Sequence, residues 1–149
     1  MTQAAEYAIG AAVYLARHYT RERVPADEIA QALGMPRNYL SKILYALAQS
    51  GLLLSTRGPR GGFRLSEAPA DITLAHVIEP FRNNGTTQPT CLMGGQPCQP
   101  DAGCAAHGRW QMISEELSSF MTETTLAMLV AGNAQPTLKG GNYGDRRRA

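Results

Sequence analysis

The chain has 149 residues, of which 44% are apolar and 17% charged, and its formal net charge is +2. This size and composition predict one domain, or one domain with an appended segment, around a moderate core. No apolar run approaches the roughly 20 residues that span a bilayer, and the N-terminus lacks the basic-then-apolar order of a secretory signal. We therefore expect a cytoplasmic protein with no membrane partner.

Three helices are predicted in the first third of the chain. Alanine-rich residues 3–18 favour the first helix, and Pro25 opens a short second helix that Gly34 ends. Pro36 starts a third helix that runs to about residue 49. Its apolar residues recur at positions i, i+3, i+4 and i+7, as Leu40, Ile43, Leu44 and Leu47.

After the third helix the period changes to the two-residue repeat of strands. Residues 53–56 and 62–65 are short strand candidates, and the Gly- and Pro-containing connector 57–61 joins them. Two short helices followed by a basic hairpin predict a winged helix-turn-helix. In that motif the second helix of the pair lies in the major groove of DNA, while the hairpin contacts the neighbouring backbone or minor groove.

The third helix and the hairpin carry polar side chains suited to DNA. The helix residues offer hydrogen-bond donors and acceptors for base edges and phosphates; they are Arg37, Asn38, Tyr39, Ser41, Lys42 and Tyr45. Arg57 or Arg60 of the hairpin is suited to a narrow minor groove. Five basic residues between Arg37 and Arg64 have no acidic residue among them. The competing interpretation is an ordinary solvated face.

Beyond the hairpin, Thr73 is the predicted N-cap of a helix that reaches about Phe81. A long helix is predicted from near Ala105, and residues 125–130 form its last turn or a separate helix. The long helix has apolar residues at helical spacing: Trp110, Ile113, Leu117, Phe120 and Met121. Such a stripe needs a partner, either the first helix of the same chain or, as we favour, a second subunit.

The chain concentrates its cysteines in one segment. Its three cysteines and a histidine fall within 17 residues, as Cys91, Cys98, Cys104 and His107. In a reducing compartment such residues are better explained as ligands of zinc or an iron-sulfur cluster, or as redox thiols, than as disulfides. Cys104 and His107 are nearly one helical turn apart and can converge on one centre.

Several of these segments, in this order, resemble the Rrf-type family of winged-helix regulators. The matching segments are Ala5-Glu6-Tyr7-Ala8, Asn38-Tyr39-Leu40-Ser41-Lys42, Gly51-Leu52, residues 57–63, Ile72-Thr73-Leu74 and the cysteine segment. The resemblance implies a homodimeric transcription factor that binds a pseudo-palindromic promoter site. It also implies an iron-sulfur cluster, held by three cysteines, whose state alters DNA binding.

The resemblance leaves the fourth cluster ligand open. IscR-like members use the histidine that follows the third cysteine, which is His107 here, in a 2Fe-2S site. NsrR-like members use an acidic residue from the first helix of the other subunit, and Glu6 stands at that position. We favour His107 because it is local to Cys104. A 2Fe-2S cluster is favoured, and a 4Fe-4S cluster is possible.

The sequence thus predicts a mostly α-helical chain with a two-stranded antiparallel wing and a long dimerisation helix. We divide it into a winged helix-turn-helix domain (1–82), a cluster-binding loop (83–104), a dimerisation region (105–132) and a flexible tail (133–149). We expect a regulator that senses iron, redox state or nitric oxide, and not an enzyme, because no nucleophile is paired with a base. The alternatives are a winged-helix regulator with a zinc site or thiol switch, and a small iron-sulfur redox protein.

Overall fold

The computed structural model describes residues 2–82, Cys91 and residues 104–132. The described ranges contain α1 (Gln3–Arg17), α2 (Ala26–Leu33), α3 (Arg37–Gln49), β1 (Leu53–Thr56), β2 (Gly62–Leu65), α4 (Leu74–Ile78), a single 3-10 turn (Glu79–Phe81), α5 (His107–Glu123) and α6 (Leu126–Ala131). The mostly helical architecture with a two-stranded wing is confirmed. The predicted tail and most of the predicted cluster-binding loop, including Cys98, lie outside the described residues.

Helix α1 is the central element of the core. It contacts α2, α3, α4, α6 and β2. Ala8, Ala11 and Ala12 are fully buried, and these small side chains let neighbouring helices approach closely from several directions. The buried face is therefore wider than a narrow apolar stripe, and it includes the ring of Tyr7.

Helices α2 and α3 form the helix-turn-helix. Gly34 ends α2 in the left-handed conformation, with φ of 63°, which a residue without Cβ adopts at no steric cost. Pro36 then precedes the first residue of α3. The predicted apolar positions of α3 are all buried, as Leu40, Ile43, Leu44 and Leu47. Because these four anchor one face, the polar face of α3 is turned outward.

The wing is an antiparallel pair in which Leu53 lies opposite Leu65 and Thr56 lies opposite Gly62. The wing is also hydrogen-bonded to the loop before α2. The Val24 N–H donates to the Phe63 carbonyl at 2.9 Å, and the Phe63 N–H donates back to the Val24 carbonyl at 2.9 Å. The wing is thus tied to the loop that leads into α2.

Gly62 lies where the wing meets Val24, and it has no room for a side chain. A Cβ on Gly62 would lie 2.6 Å from the Val24 carbonyl oxygen, which is backbone and cannot swing away. We expect Gly62→Ala to lower the free energy of unfolding by about 1–3 kcal/mol, the usual cost of overpacking. Urea denaturation measures this difference.

Gly108→Ala is the matched control, because nothing lies within 4 Å of a Cβ built there. Gly108 is the second residue of α5, so this variant is expected to be as stable as the wild type or to gain less than about 0.5 kcal/mol. Equal stabilities for Gly62→Ala and the wild type would contradict the close approach of Val24 to the wing.

Helix α4 begins at the predicted N-cap, Thr73. The Thr73 hydroxyl accepts from the His76 N–H, and the His76 ring accepts from the Thr73 N–H, so the two residues form a capping box. Helix α5 begins at His107, two residues later than expected, and none of its residues is buried.

The C-terminal end of α5 is clamped to the winged-helix body. The Leu74 N–H donates to the Thr124 carbonyl at 2.9 Å, and the Leu126 N–H donates to the Ile72 carbonyl at 2.9 Å. Thr125 then caps α6, which is a separate helix that packs on α1. Leu126 is fully buried in the main core. The end of α5 and the winged-helix body are therefore parts of one packed unit.

A polar network fixes the loop between α1 and α2. The Glu28 carboxylate accepts from the Tyr14 hydroxyl at 3.0 Å and from both terminal nitrogens of Arg21, at 2.5 and 3.0 Å. The hydrogen bonds from Arg21, and then the one from Tyr14, lower the pKa of Glu28. Burial, and then the hydrogen bond to Glu28, raises the pKa of Tyr14.

The lowered pKa of Glu28 predicts a pH-dependent contribution to stability. Its contribution is present above the unfolded-state pKa of about 4.3 and is lost as the pH falls through the lower folded-state value. Because the side chains of Arg21 and Glu28 are 42% and 35% exposed, solvent screens the pair, and we expect Glu28→Gln to cost only about 0.5 kcal/mol at pH 7. In urea denaturation this cost should shrink at pH 3, whereas a larger cost at pH 3 would contradict the network.

Candidate nucleic-acid interface and cluster ligands

The residues predicted to read DNA lie together on the outer face of α3. Arg37, Asn38, Ser41 and Lys42 are exposed, while Tyr39 is half-buried. The Ser41 hydroxyl donates to the Arg37 carbonyl at 2.9 Å, which leaves its oxygen as an acceptor for a donor on DNA. The helix-turn-helix thus presents a continuous polar face from the first turn of α3 onward.

Tyr39 has a structural contact that the sequence did not reveal. Its ring packs edge-on against Tyr7 of α1, with ring centroids 5.5 Å apart and planes at 77°. The Gln3 amide in turn donates to the Tyr7 hydroxyl at 3.2 Å. The position of Tyr39 on the outer face is therefore set by the first helix as well as by α3.

One acidic residue lies beside the basic face. Asp27 of α2 forms an ion pair with the Nε atom of Arg37, and both side chains are about two-thirds exposed. The run from Arg37 to Arg64 contains no acidic residue, but the turn between α2 and α3 brings Asp27 against its first member. This contact joins two helices, and it was not predicted from the sequence.

The wing supplies the other predicted DNA contacts. Arg57 and Arg60 are exposed in the connector between β1 and β2, and Arg64 is exposed on β2. The Gly61 N–H donates to the Gly58 carbonyl at 2.9 Å and closes a turn that contains Arg60 and directly follows Arg57. The wing arginines and the face of α3 together form a positively charged surface suited to a polyanion.

The candidate cluster ligands are described only in part. Cys91 and Cys104 are both free thiols and half-exposed, and Cys98 lies outside the described residues. The His107 N–H donates to the Cys104 carbonyl at 3.1 Å, so these two residues share the turn that opens α5. Glu6 is exposed in the first turn of α1. Within the described ranges no three potential metal ligands come together.

The donor types present fit an iron-sulfur cluster. Two free thiols can ionise to the thiolates that bind cluster iron, and an imidazole or a carboxylate can complete the ligand set. Neither described cysteine is held in a disulfide, and both are partly exposed to solvent. The residues of one chain, as described, do not select between His107 and Glu6.

No helix of the described part of the chain is both long and apolar enough to cross a membrane.

Known proteins resemble this chain over most of its length. Residues 1–132 match the Rrf2 family, described as an iron-dependent transcriptional regulator. The regulator IscR of Photorhabdus laumondii is 30% identical over 149 residues, which cover 100% of this chain and 90% of that protein. IscR of Vibrio atlanticus is 32% identical over 133 residues, covering 89% of this chain and 76% of the relative.

Solved structures agree on the fold. CymR, the global cysteine regulator of B. subtilis, matches with a TM-score of 0.76 at 23% identity, over 90% of this chain and 98% of that one. IscR of T. potens matches with a TM-score of 0.71 at 21% identity, over 95% of this chain and 93% of that one. At these identities the two structures support the winged-helix fold alone.

The family consists of transcriptional regulators, which sets aside both an enzyme and a small iron-sulfur redox protein. The outward polar face of α3, the basic wing and the match over residues 1–132 lead to the same conclusion. The chain belongs to the Rrf2 family and is a DNA-binding transcriptional regulator similar to IscR.

Proposed function

We propose that this regulator senses iron, redox state or nitric oxide through an iron-sulfur cluster bound by Cys91, Cys98, Cys104 and one further ligand. The observation that carries the proposal is the turn that opens α5, where the free thiol of Cys104 and the ring of His107 belong to one hydrogen-bonded turn. His107 is the favoured fourth ligand, with Glu6 of a second subunit as its competitor. The favoured cluster is 2Fe-2S, with 4Fe-4S as the other form.

The cluster, when bound, supplies a centre whose charge and stability change with oxidation, nitric oxide or loss of iron. The protein's part is to connect the ligand-bearing turn to the DNA-binding surface. Helix α5 has 17 residues and is therefore about 25 Å long. Its first turn carries His107, and its last residue precedes Thr124, which is hydrogen-bonded to Leu74.

The hydrogen bond between Thr124 and Leu74 allows α5 to pass a movement of its first turn to the rest of the fold. A shift of its first turn moves a helix whose far end is hydrogen-bonded to Leu74 through Thr124 and continues into α6, where Leu126 is buried in the same core as α1 and α3. Packed cores switch between discrete arrangements and do not deform continuously, so ordering or release of the ligand-bearing turn is able to re-aim the α3 face. We infer that cluster state alters DNA affinity through this helix.

The outward face of α5 supports a homodimer. Ile113, Leu117 and Phe120 lie at helical spacing, and each is more than half exposed. Half-buried Trp110 and Met121 extend the same stripe at its two ends. Exposed apolar stripes of this kind mark protein interfaces, and a second copy of α5 offers the same stripe in return.

A dimer of this design presents two α3 faces to DNA. Two identical faces related by a two-fold axis bind two half-sites in successive major grooves, so we propose a pseudo-palindromic promoter site. The α3 residues Arg37, Asn38, Tyr39, Ser41 and Lys42 contact base edges and phosphates there, with Arg57 and Arg60 on the backbone or minor groove. A regulator that acts on promoters works in the cytoplasm.

The fourth ligand is tested by anaerobic purification of His107→Ala and Glu6→Ala, with iron and sulfide analysis and visible and Mössbauer spectra. We expect His107→Ala to change the cluster spectrum and to lower cluster retention by about tenfold or more, because a ligand matters at least as much as the outer groups that support it. Glu6→Ala should leave the spectrum unchanged.

The opposite result, a changed spectrum only for Glu6→Ala, would assign the ligand to α1. Wild-type protein that is colourless and contains zinc or no metal would contradict the cluster itself.

A further inference from the structure

The ion pair between Asp27 and Arg37 joins the two helices of the helix-turn-helix at the exposed start of α3. Asp27 is in the first turn of α2, and Arg37 is the first residue of α3. The Asp27 carboxylate contacts the Nε atom of Arg37. Because both side chains are about two-thirds exposed, the pair contributes little to folding stability, and its effect must be sought elsewhere.

Asp27 contacts the Nε atom of Arg37, and this affects how Arg37 can bind a base. The N-terminal residues of a recognition helix are the ones that contact base edges. An arginine recognises guanine through a bidentate pair of hydrogen bonds to O6 and N7. With Nε held by Asp27, the two terminal nitrogens of the Arg37 fork stay available for such a pair. A long flexible side chain is thereby restricted before it meets DNA.

Asp27 also places a negative charge beside a surface that approaches phosphates. An acidic group there repels DNA of every sequence and lowers non-specific affinity. The same side chain therefore has two separable effects. It weakens sequence-independent binding through its charge, and it favours correct base pairs by orienting Arg37.

We propose that Asp27 is a positioning residue for sequence recognition: it orients Arg37 toward a guanine and raises the discrimination between specific and non-specific DNA. The proposal rests on the proposed role of the α3 face in the major groove. It concerns Asp27 and Arg37 alone and does not depend on the cluster ligands.

The test compares Asp27→Ala with wild-type protein by fluorescence anisotropy at one salt concentration. The duplexes are a site selected by the wild type from a random library, its single-base variants and a scrambled sequence. We expect Asp27→Ala to bind scrambled DNA about two- to threefold more tightly, through loss of one repulsive charge. At the base pair that Arg37 contacts, the ratio of affinities for the selected site and its single-base variants should fall about fivefold or more.

Three variants separate orientation from charge. Glu22→Ala removes an equal charge from the loop before α2, where Glu22 pairs with its neighbour Arg23 and is 81% exposed. This variant should leave the ratio of affinities for selected and single-base-variant DNA unchanged. Asp27→Glu keeps the carboxylate and should restore part of the discrimination. In an Arg37→Ala background, Asp27→Ala should cause no further loss at the same base pair.

Circular dichroism should show the same thermal midpoint for Asp27→Ala and the wild type. Equal gains in affinity for selected and scrambled DNA, with unchanged discrimination, would overturn the proposal and leave Asp27 as a repulsive charge only. Identical binding by Asp27→Ala and the wild type would also overturn it. If the wild type itself selects no sequence, the proposed reading role of α3 fails, and this inference fails with it.

Discussion

Cys104→Ser is expected to lower the iron and sulfide retained after anaerobic purification by more than about tenfold, since even outer groups around a metal centre contribute about 10- to 100-fold to its affinity. Serine has nearly the same size as cysteine but replaces the soft thiolate with a hard, weakly acidic hydroxyl, which iron-sulfur clusters rarely accept. The Cys104 carbonyl also accepts from the N–H of His107, the first residue of α5. We therefore expect DNA binding by this variant to lose its response to cluster-loading conditions.

Ala105→Ser is the matched control for that variant. It introduces the same side chain one residue later, at an exposed position, and should retain the wild-type cluster content and spectrum. Full iron and sulfide in Cys104→Ser would contradict the assignment of Cys104 as a ligand. Equal losses in both variants would point to damage of the turn and not to a lost ligand.

Leu117→Asp is expected to weaken self-association by about 30-fold or more, as truncation of a central interface residue typically costs about 2 kcal/mol or more. Leu117 lies in the middle of the apolar stripe of α5 and is 54% exposed in the single chain. A charge buried there would face its own copy across a two-fold axis. Sedimentation velocity over a concentration series measures the change.

Ser119→Asp is the control for the dimer variant. Two residues along a helix correspond to about 200° around its axis, so Ser119 lies on the side of α5 away from Leu117 and receives the same charge. It should remain as dimeric as the wild type. A wild-type chain that sediments as a monomer at all concentrations, or a dimer unaffected by Leu117→Asp, would contradict the proposed interface.

Most of the fold followed from short-range signals in the sequence. Gly34 ends α2, Pro36 precedes α3 and Thr73 caps α4, and each of these roles is local chemistry that one residue type performs best. The strand bounds of the wing, Leu53–Thr56 and Gly62–Leu65, agreed with the change of period from 3.6 to 2.

The parts that sequence reasoning missed all depend on contacts between segments. The ion pair of Asp27 with Arg37 and the ring contact of Tyr7 with Tyr39 join different helices. Neither has a periodic or local signature. The clamp between Leu74 and Thr124 links positions 50 residues apart, and it forms where α4 packs on α5 and α6 packs on α1.

The candidate ligand site was predictable as a set of donors but not as a geometry. Thiolates and an imidazole within 17 residues indicate a metal centre by chemistry alone. The choice between His107 and Glu6 depends on where a second subunit lies, and spacing within one chain carries no information about that. The dimer therefore has to be established before the ligand set is complete.

The central claim is that the cluster controls DNA binding, and one equilibrium measurement tests it directly. The affinity for a selected duplex is measured for cluster-loaded and cluster-free protein at the same salt concentration, since salt alone shifts such affinities strongly. The account predicts that the two dissociation constants differ by about fivefold or more, the lower end of typical allosteric coupling. Equal dissociation constants for the two forms would contradict it.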